Sequence, residues 1–314
     1  MKPVVASAAY LLISHGSRDP RPQAAMYRLA GLVRERLERS HLQDSPDTAR
    51  QQRVQGSSRS NPRYLGPGYT EQINLSDQQQ ISQQTSLLTK PCPQAVESGL
   101  SEVSNSEIPD SEIIVETACL ELAALPLNEQ IYEMGCRLAV AGVEELKLLP
   151  MFLMAGVHVM EDIPAEIAAA RKRLDGAIRL TSCPHLGSHP KIAMVLAKRL
   201  ESVPTEGSLL VAHGSRRPKG NRKIQVLARN LETTVAYWSV PPDIETQAIE
   251  LMQQGCQGLA ILPYFLFAGG ITDAIAHRTE ELAERFPKVK FRLLPTLGAT
   301  AEVADLVVDL AENI

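Results

Sequence analysis

Three side chains in the first half of the chain have the types that bind a divalent metal and move protons. His15 lies in Ser14-His15-Gly16-Ser17-Arg18, directly after an apolar run. His158 closes Phe152-Leu153-Met154-Ala155-Gly156-Val157-His158, after a second apolar run. Glu121 follows a third, in Cys119-Leu120-Glu121-Leu122. Imidazole suits divalent iron, cobalt or nickel and accepts a proton near neutral pH. A carboxylate among apolar neighbours adds a further donor. Gly16 permits a tight turn and close approach of a ligand to the backbone. Arg18 and Arg21 are placed to pair with substrate carboxylates. Taken singly, each residue has an ordinary reading: a solvated loop histidine, or a glutamate at a helix start. Two histidines at two strand ends point together to a metal or acid–base site.

The elements that carry these residues occur twice. Leu209-Leu210-Val211-Ala212-His213-Gly214-Ser215-Arg216 echoes Leu11-Leu12-Ile13-Ser14-His15-Gly16-Ser17-Arg18. Leu262-Pro263 through Ala268-Gly269 echoes Leu149-Pro150 through Ala155-Gly156, and Pro295-Thr296-Leu297-Gly298 echoes Pro184-His185-Leu186-Gly187. Three matches in one order divide the chain into two homologous halves, 1–203 and 204–314. The second half keeps His213, but Ile271 aligns with His158, and the Glu121 region aligns with Ala236-Tyr237-Trp238-Ser239, which has no carboxylate. One working site in the first half is expected, with the second half as a wall. His213, Arg216, Arg217 and Lys219 then position a polyanion. His41, His185, His189 and His277 read as structural or surface residues.

Each half alternates apolar runs with amphipathic stretches. Strands are predicted at 10–14, 113–118, 146–150, 178–181, 209–212, 235–239, 259–263 and 291–294. Helices are predicted at 22–39, 127–141, 163–173, 190–200, 223–231, 244–253, 275–286 and 300–311. Strands without polar alternation, separated by helices, imply an α/β fold with parallel sheets covered on both faces. Ligands of such sheets bind beyond the carboxyl ends of the strands. Residues 42–110, rich in Gln, Ser, Asn and Pro, have little apolar periodicity and read as a disordered insertion.

Composition narrows the function. The chain has 314 residues, enough for about two domains. Its net charge of −4 and aromatic content of 4% argue against a nucleic-acid partner. The apolar stretches at 148–157 and 259–271 are too short to span a bilayer. Residues 3–13 resemble a weak signal peptide, but their pattern recurs mid-chain, which favours a core strand. Five scattered cysteines without a C-x-x-C pair suit a reducing compartment, so the cytoplasm is expected. Neither a P-loop nor a G-x-G-x-x-G fingerprint is present.

The chain resembles the sirohydrochlorin chelatases, in their long, internally duplicated form. The resemblance rests on Ser14-His15-Gly16-Ser17-Arg18, Leu120-Glu121-Leu122, and Leu149-Pro150 through His158 with Glu161-Asp162-Ile163-Pro164. It covers nearly all of the chain outside the insertion. It implies two similar halves, each a four-stranded parallel sheet flanked by helices, facing across a cleft. His15 would be metal ligand and proton acceptor, His158 the second ligand, and Glu121 a contact to metal or tetrapyrrole that assists proton removal. Gly16, Ser17, Arg18, Leu153, Met154, Ala155, Gly156, Val157, His213 and Arg216 would contact the macrocycle. The implied reaction inserts Fe2+ or Co2+ (Ni2+ in vitro) into sirohydrochlorin, in siroheme or cobalamin synthesis, with no cofactor beyond the substrate metal. Because two halves replace a homodimer, a monomer is expected. Two other readings stay open: a histidine-phosphatase type of enzyme, which wants Arg where Ser14 stands, and a non-enzymatic metal or tetrapyrrole carrier.

Overall fold

A computed structural model describes residues 8–44, 113–217 and 219–313, the side chains of Ala8 and of residues 41–44 excepted. The first half runs β1 (Ala8–Ser14), α1 (Pro20–Asp44), β2 (Ile113–Cys119), α2 (Leu127–Val140), β3 (Glu145–Pro150), α3 (Ile163–Leu174), β4 (Arg179–Ser182) and α4 (Ile192–Glu201). The second half runs β5 (Gly207–Ala212), α5 (Arg222–Asn230), β6 (Thr234–Tyr237), α6 (Ile244–Gln253), β7 (Gly258–Pro263), α7 (Gly270–Arg285), β8 (Lys290–Leu293) and α8 (Ala301–Glu312). The strands form two parallel sheets with one topology, β2-β1-β3-β4 and β6-β5-β7-β8. Each predicted strand and helix has a counterpart, and the duplicated order is the same in both halves.

Most boundaries shift by one or two residues from the sequence reading, and three of the differences have a visible cause or consequence. Helix α1 continues through Asp44, beyond the expected start of the insertion at 42; the rest of that insertion, to 110, lies outside the described residues. Strand β6 stops at Tyr237, because its partner β5 ends at Ala212; Trp238 and Ser239 still bond the carbonyls of Ala212 and His213 as that chain turns away. Helix α7 begins at Gly270, five residues early, where the Thr272 hydroxyl bonds the Gly269 backbone.

Alternation along the central strands divides the core into layers. Tyr10 and Leu12 of β1 pack with Leu210 and Ala212 of β5 in a shared interior, which also holds Met26, Leu29 and Val33 of α1 and Val303, Leu306 and Val307 of α8. The opposite face of β1, Ala9, Leu11 and Ile13, packs on α2 and α3. The opposite face of β5, Leu209 and Val211, packs on α6 and α7. Every buried residue of β1 and β5 is apolar, which explains the unbroken hydrophobic runs. Side chains also tie the halves: Lys147 Nζ donates to the Ala311 carbonyl (2.7 Å), Arg199 to the Leu297 carbonyl (2.6 Å), and Arg36 pairs with Asp305. The parallel strands bring all their carboxyl ends to one edge of each sheet, where the turns carry His15, Glu121, His158 and His213.

Candidate metal centre

His15 is the first residue beyond β1, and Gly16 turns the chain away at φ +96°. A β-carbon at Gly16 would lie 2.0 Å from the Glu121 carbonyl oxygen, so glycine is required there. The reason is that β2 continues alongside. Leu120 N–H donates to Ser14 O and Glu121 N–H to His15 O, both at 2.9 Å, extending the ladder past the strand ends. Those bonds set the two side chains abreast: His15 Nδ1 lies 3.9 Å from Glu121 Oε2, with both side chains half exposed. Gln130 of α2 fixes the exit of β2. Its amide accepts from Cys119 N–H (3.1 Å) and donates to the carbonyls of Cys119 and Leu125 (2.8 Å each).

His158 arrives from β3. Met151 N–H donates to Ile13 O (2.7 Å), after which the loop runs to a π-helical turn, His158–Asp162, that continues into α3. This turn places Asp162 Oδ2 at 2.8 Å from His158 Nδ1. A carboxylate on Nδ1 favours the tautomer with hydrogen there, which leaves the Nε2 lone pair free for a metal. The His15 and His158 rings meet edge to face, 4.8 Å between centroids, and Phe152 lies 6.2–6.3 Å from both. One donor atom each from His15, Glu121 and His158 fall within 4.8 Å of one another. Ligands about 2.1 Å from a common ion stand roughly 3–4 Å apart, so the three need only a small contraction to share one. The sequence reading singled out this trio, and the fold assembles it. It did not single out Asp162 for this work; the His-x-x-x-Asp spacing was the available signal.

Beside the trio lies a cavity of about 490 Å³. Ser14, His15, Gly16 and Ser17, with Gln23 and Met26 of α1, form its first-half wall; His213, Phe265, Phe267 and Ile271 belong to its second-half wall. The loop expected to line the macrocycle, Leu153, Met154, Ala155, Gly156 and Val157, is not part of this lining. Leu153 and Met154 instead pack on the shared core, and Leu153 O accepts a bond from Tyr264 (3.3 Å). The corresponding loop of the second half takes the place at the cavity. Arg18 and Arg216 are exposed outside its lining, and Arg217 and Lys219 line a separate surface groove. Arg21 is already engaged by Asp19 and by Asp273 of α7, at 2.5 Å each, rather than open to a substrate carboxylate.

The second half repeats the frame without the donors. Trp238 N–H donates to Ala212 O and Ser239 N–H to His213 O, both at 2.9 Å, so Ser239 stands where the first half has Glu121. Among the other histidines, His185 is buried with Nδ1 3.0 Å from Phe152 O. His189 is buried against Asp309 of α8, Nε2 to Oδ2 2.8 Å, and His277 is exposed beside Glu280 and Glu281. None of these three joins the trio.

A family model described as CbiX matches residues 78–203 and again 207–314. The chain belongs to the CbiX family. The two matches follow the internal repeat. The chain is 23% identical over 221 residues to the sirohydrochlorin cobaltochelatase of Priestia megaterium, covering 65% of this chain and 70% of that protein. It is 25% identical over 182 residues to the sirohydrochlorin ferrochelatase of Bacillus subtilis, covering 54% and 69%. The structure of SirB from Bacillus subtilis with Fe3+ superposes at a TM-score of 0.59 and 17% identity, over 98% of this chain and 96% of that one. This last likeness speaks for the fold.

Proposed function

We propose that this CbiX-family protein is a sirohydrochlorin chelatase, inserting a divalent metal into the tetrapyrrole and releasing two protons. One observation carries the reading: His15, Glu121 and His158 converge at the strand ends of a chain whose relatives are chelatases for this macrocycle. Three donors leave coordination positions open, so the substrate ion is held partly dehydrated and can be passed to the pyrrole nitrogens. His158, braced by Asp162, and His15 hold the ion; Glu121 adds negative charge that favours its arrival and takes up a proton as the ion leaves. Gly16 and Ser17 offer backbone at the cavity wall. The residue 153–157 loop serves mainly to deliver His158, and Phe265, Phe267 and Ile271 give the macrocycle an apolar surface. Arg18 and Arg216 stand outside, where they meet the carboxylates at the macrocycle's rim.

Imidazole and carboxylate donors accept both iron and cobalt. The relatives divide the same way, one a cobaltochelatase and one a ferrochelatase. Iron, and hence siroheme, is our first choice. The protein works as a monomer in the cytoplasm and needs no cofactor besides its substrate metal. Among the described residues no helix is long and apolar enough to cross a membrane, and Cys119, Cys183 and Cys256 are free thiols. The test is anaerobic metalation of sirohydrochlorin followed by absorbance, with Fe2+, Co2+ and Ni2+ compared. Acceleration over the spontaneous rate, lost in His15→Ala and His158→Ala, is expected. Binding without acceleration would make the protein a carrier, and phosphatase activity that depends on His15 but not on metal would replace the reading altogether.

A further inference from the structure

Building on the chelatase reading, we infer that His213, the counterpart of His15 in a half that lacks the other two donors, is a catalytic base that takes a pyrrole proton from the macrocycle. The need for a second base follows from the first site. When His15 and His158 coordinate the ion, the ring lone pairs they would use to accept protons are committed to the metal, which leaves Glu121 to take up one of the two pyrrole protons and the other without an acceptor. A proton leaving toward the ion also moves into the field of a divalent cation. An acceptor away from the trio, reaching the same substrate, avoids both costs.

The structure offers one such group. Among the described residues that line the cavity, His15 and His213 are the two with titratable side chains; the others are apolar, Gly, Ser, Thr or Gln. The two belong to opposite halves and to equivalent turns. Gly214, at φ +87°, turns the chain after His213 as Gly16 does after His15, and a β-carbon there would lie 2.9 Å from the Tyr237 β-carbon. This packing and the bond from Ser239 N–H to His213 O hold the turn.

The partners of the imidazoles distinguish His213 further. His15 faces Glu121, His158 faces Asp162, His185 faces the Phe152 carbonyl, His189 faces Asp309, and His277 faces two glutamates. Among the described side chains, only the His213 ring has neither a hydrogen bond nor an ion pair. It is exposed, and the positions that would make it a metal site hold Ser239 and Ile271. A ring nitrogen is thus left to accept from a ligand. In the step we assign to it, one pyrrole N–H bond breaks and the proton goes to a His213 ring nitrogen. The electron pair stays on the pyrrole nitrogen, which then bonds the incoming metal. The imidazolium returns its proton to water when product leaves.

The experiment compares wild type, His213→Ala and His213→Asn with sirohydrochlorin and Co2+ under anaerobic conditions. Binding of Co2+ alone, read from its visible absorption, is expected to be unchanged in both variants, while kcat falls about 100-fold or more with KM little altered. Added imidazole should restore a substantial part of the rate in His213→Ala. Three results would overturn the assignment: kcat within about threefold of wild type, loss of Co2+ binding, or a slow variant that imidazole does not rescue. If wild type itself fails to accelerate metalation, it is the chelatase reading that fails.

Discussion

At the scale of single residues, the proposed metal trio depends on a side chain outside it. Asp162 orients His158, and outer carboxylates of this kind typically contribute 10–100-fold to metal affinity. Asp162→Asn should therefore weaken Co2+ binding by about 10–100-fold in an absorbance titration, while thermal stability stays near wild type. An unchanged affinity would mean that loop packing alone sets the ring. A second residue prediction concerns pH. Burial lowers the pKa of His185 below the usual imidazole range. The unfolded chain therefore binds the proton more readily, and stability falls as pH drops through the ordinary imidazole value toward the lower folded one. His185→Asn keeps a donor near Phe152 O and removes the titration, so its melting temperature should fall less than that of wild type between pH 7.5 and 5.5 (both pH values about one unit either side of the free imidazole pKa). His15, His158 and Glu121 were legible in the sequence because each follows an apolar strand. Asp162 was not, because its role depends on the π-helical turn. Phe265 and Phe267 were not, because the sequence cannot tell which of two homologous loops faces the cavity.

At the scale of elements, the strand-to-turn junction after β1 is the part that tolerates least. Gly16 combines φ +96° with a neighbouring carbonyl 2.0 Å from its would-be β-carbon. Gly16→Ala should cost roughly 1–3 kcal/mol from the backbone conformation alone. Relief of the clash would then push residues 120–121 from His15, so Co2+ affinity should fall together with the melting temperature. Gly31 in α1 is the contrasting case, since a β-carbon there meets nothing within 4 Å and its backbone is helical. Gly31→Ala should raise stability by about 0.5–1 kcal/mol, in chemical denaturation, without affecting metal binding. Losing stability at Gly31, or keeping both stability and affinity at Gly16, would contradict this account of the two helix and turn geometries. The elements themselves were legible throughout the described residues, because strands buried on both faces and helices with one apolar face leave different periodicities. Their ends were less so: Trp238 and Ser239 continue the β-type composition of β6, yet the parallel partner β5 has already turned at His213.

At the scale of the whole molecule, the shared interior should make the two halves unfold as one unit. Leu12 and Leu210, from the central strands of different sheets, belong to the same core, with α1 and α8 packed within it. The duplication in the sequence shows two copies but carries no sign of how their surfaces meet, since the apolar face of α1 reads alike whether it covers its own sheet or also a neighbour's. Among the polar contacts that cross this boundary, one joins a buried histidine to α8. His189 is 3% exposed, its Nδ1 accepts from Lys191 N–H (3.0 Å), and its Nε2 is matched to Asp309 of α8. His189 and then Lys191 hold the Asp309 carboxyl below the usual carboxylate range. The stability this lends is present above the ordinary carboxylate pKa and is lost as pH falls through the lower folded value. Asp309→Ala leaves a buried imidazole N–H without its acceptor, a loss of about 1–3 kcal/mol. Because the contact joins the halves, that loss should lower a single thermal transition rather than split it, with far-ultraviolet and near-ultraviolet signals still coincident at neutral pH. Two separated transitions in wild type would show that the halves fold independently. A split confined to Asp309→Ala would instead show that this one contact, rather than the apolar interior, couples them.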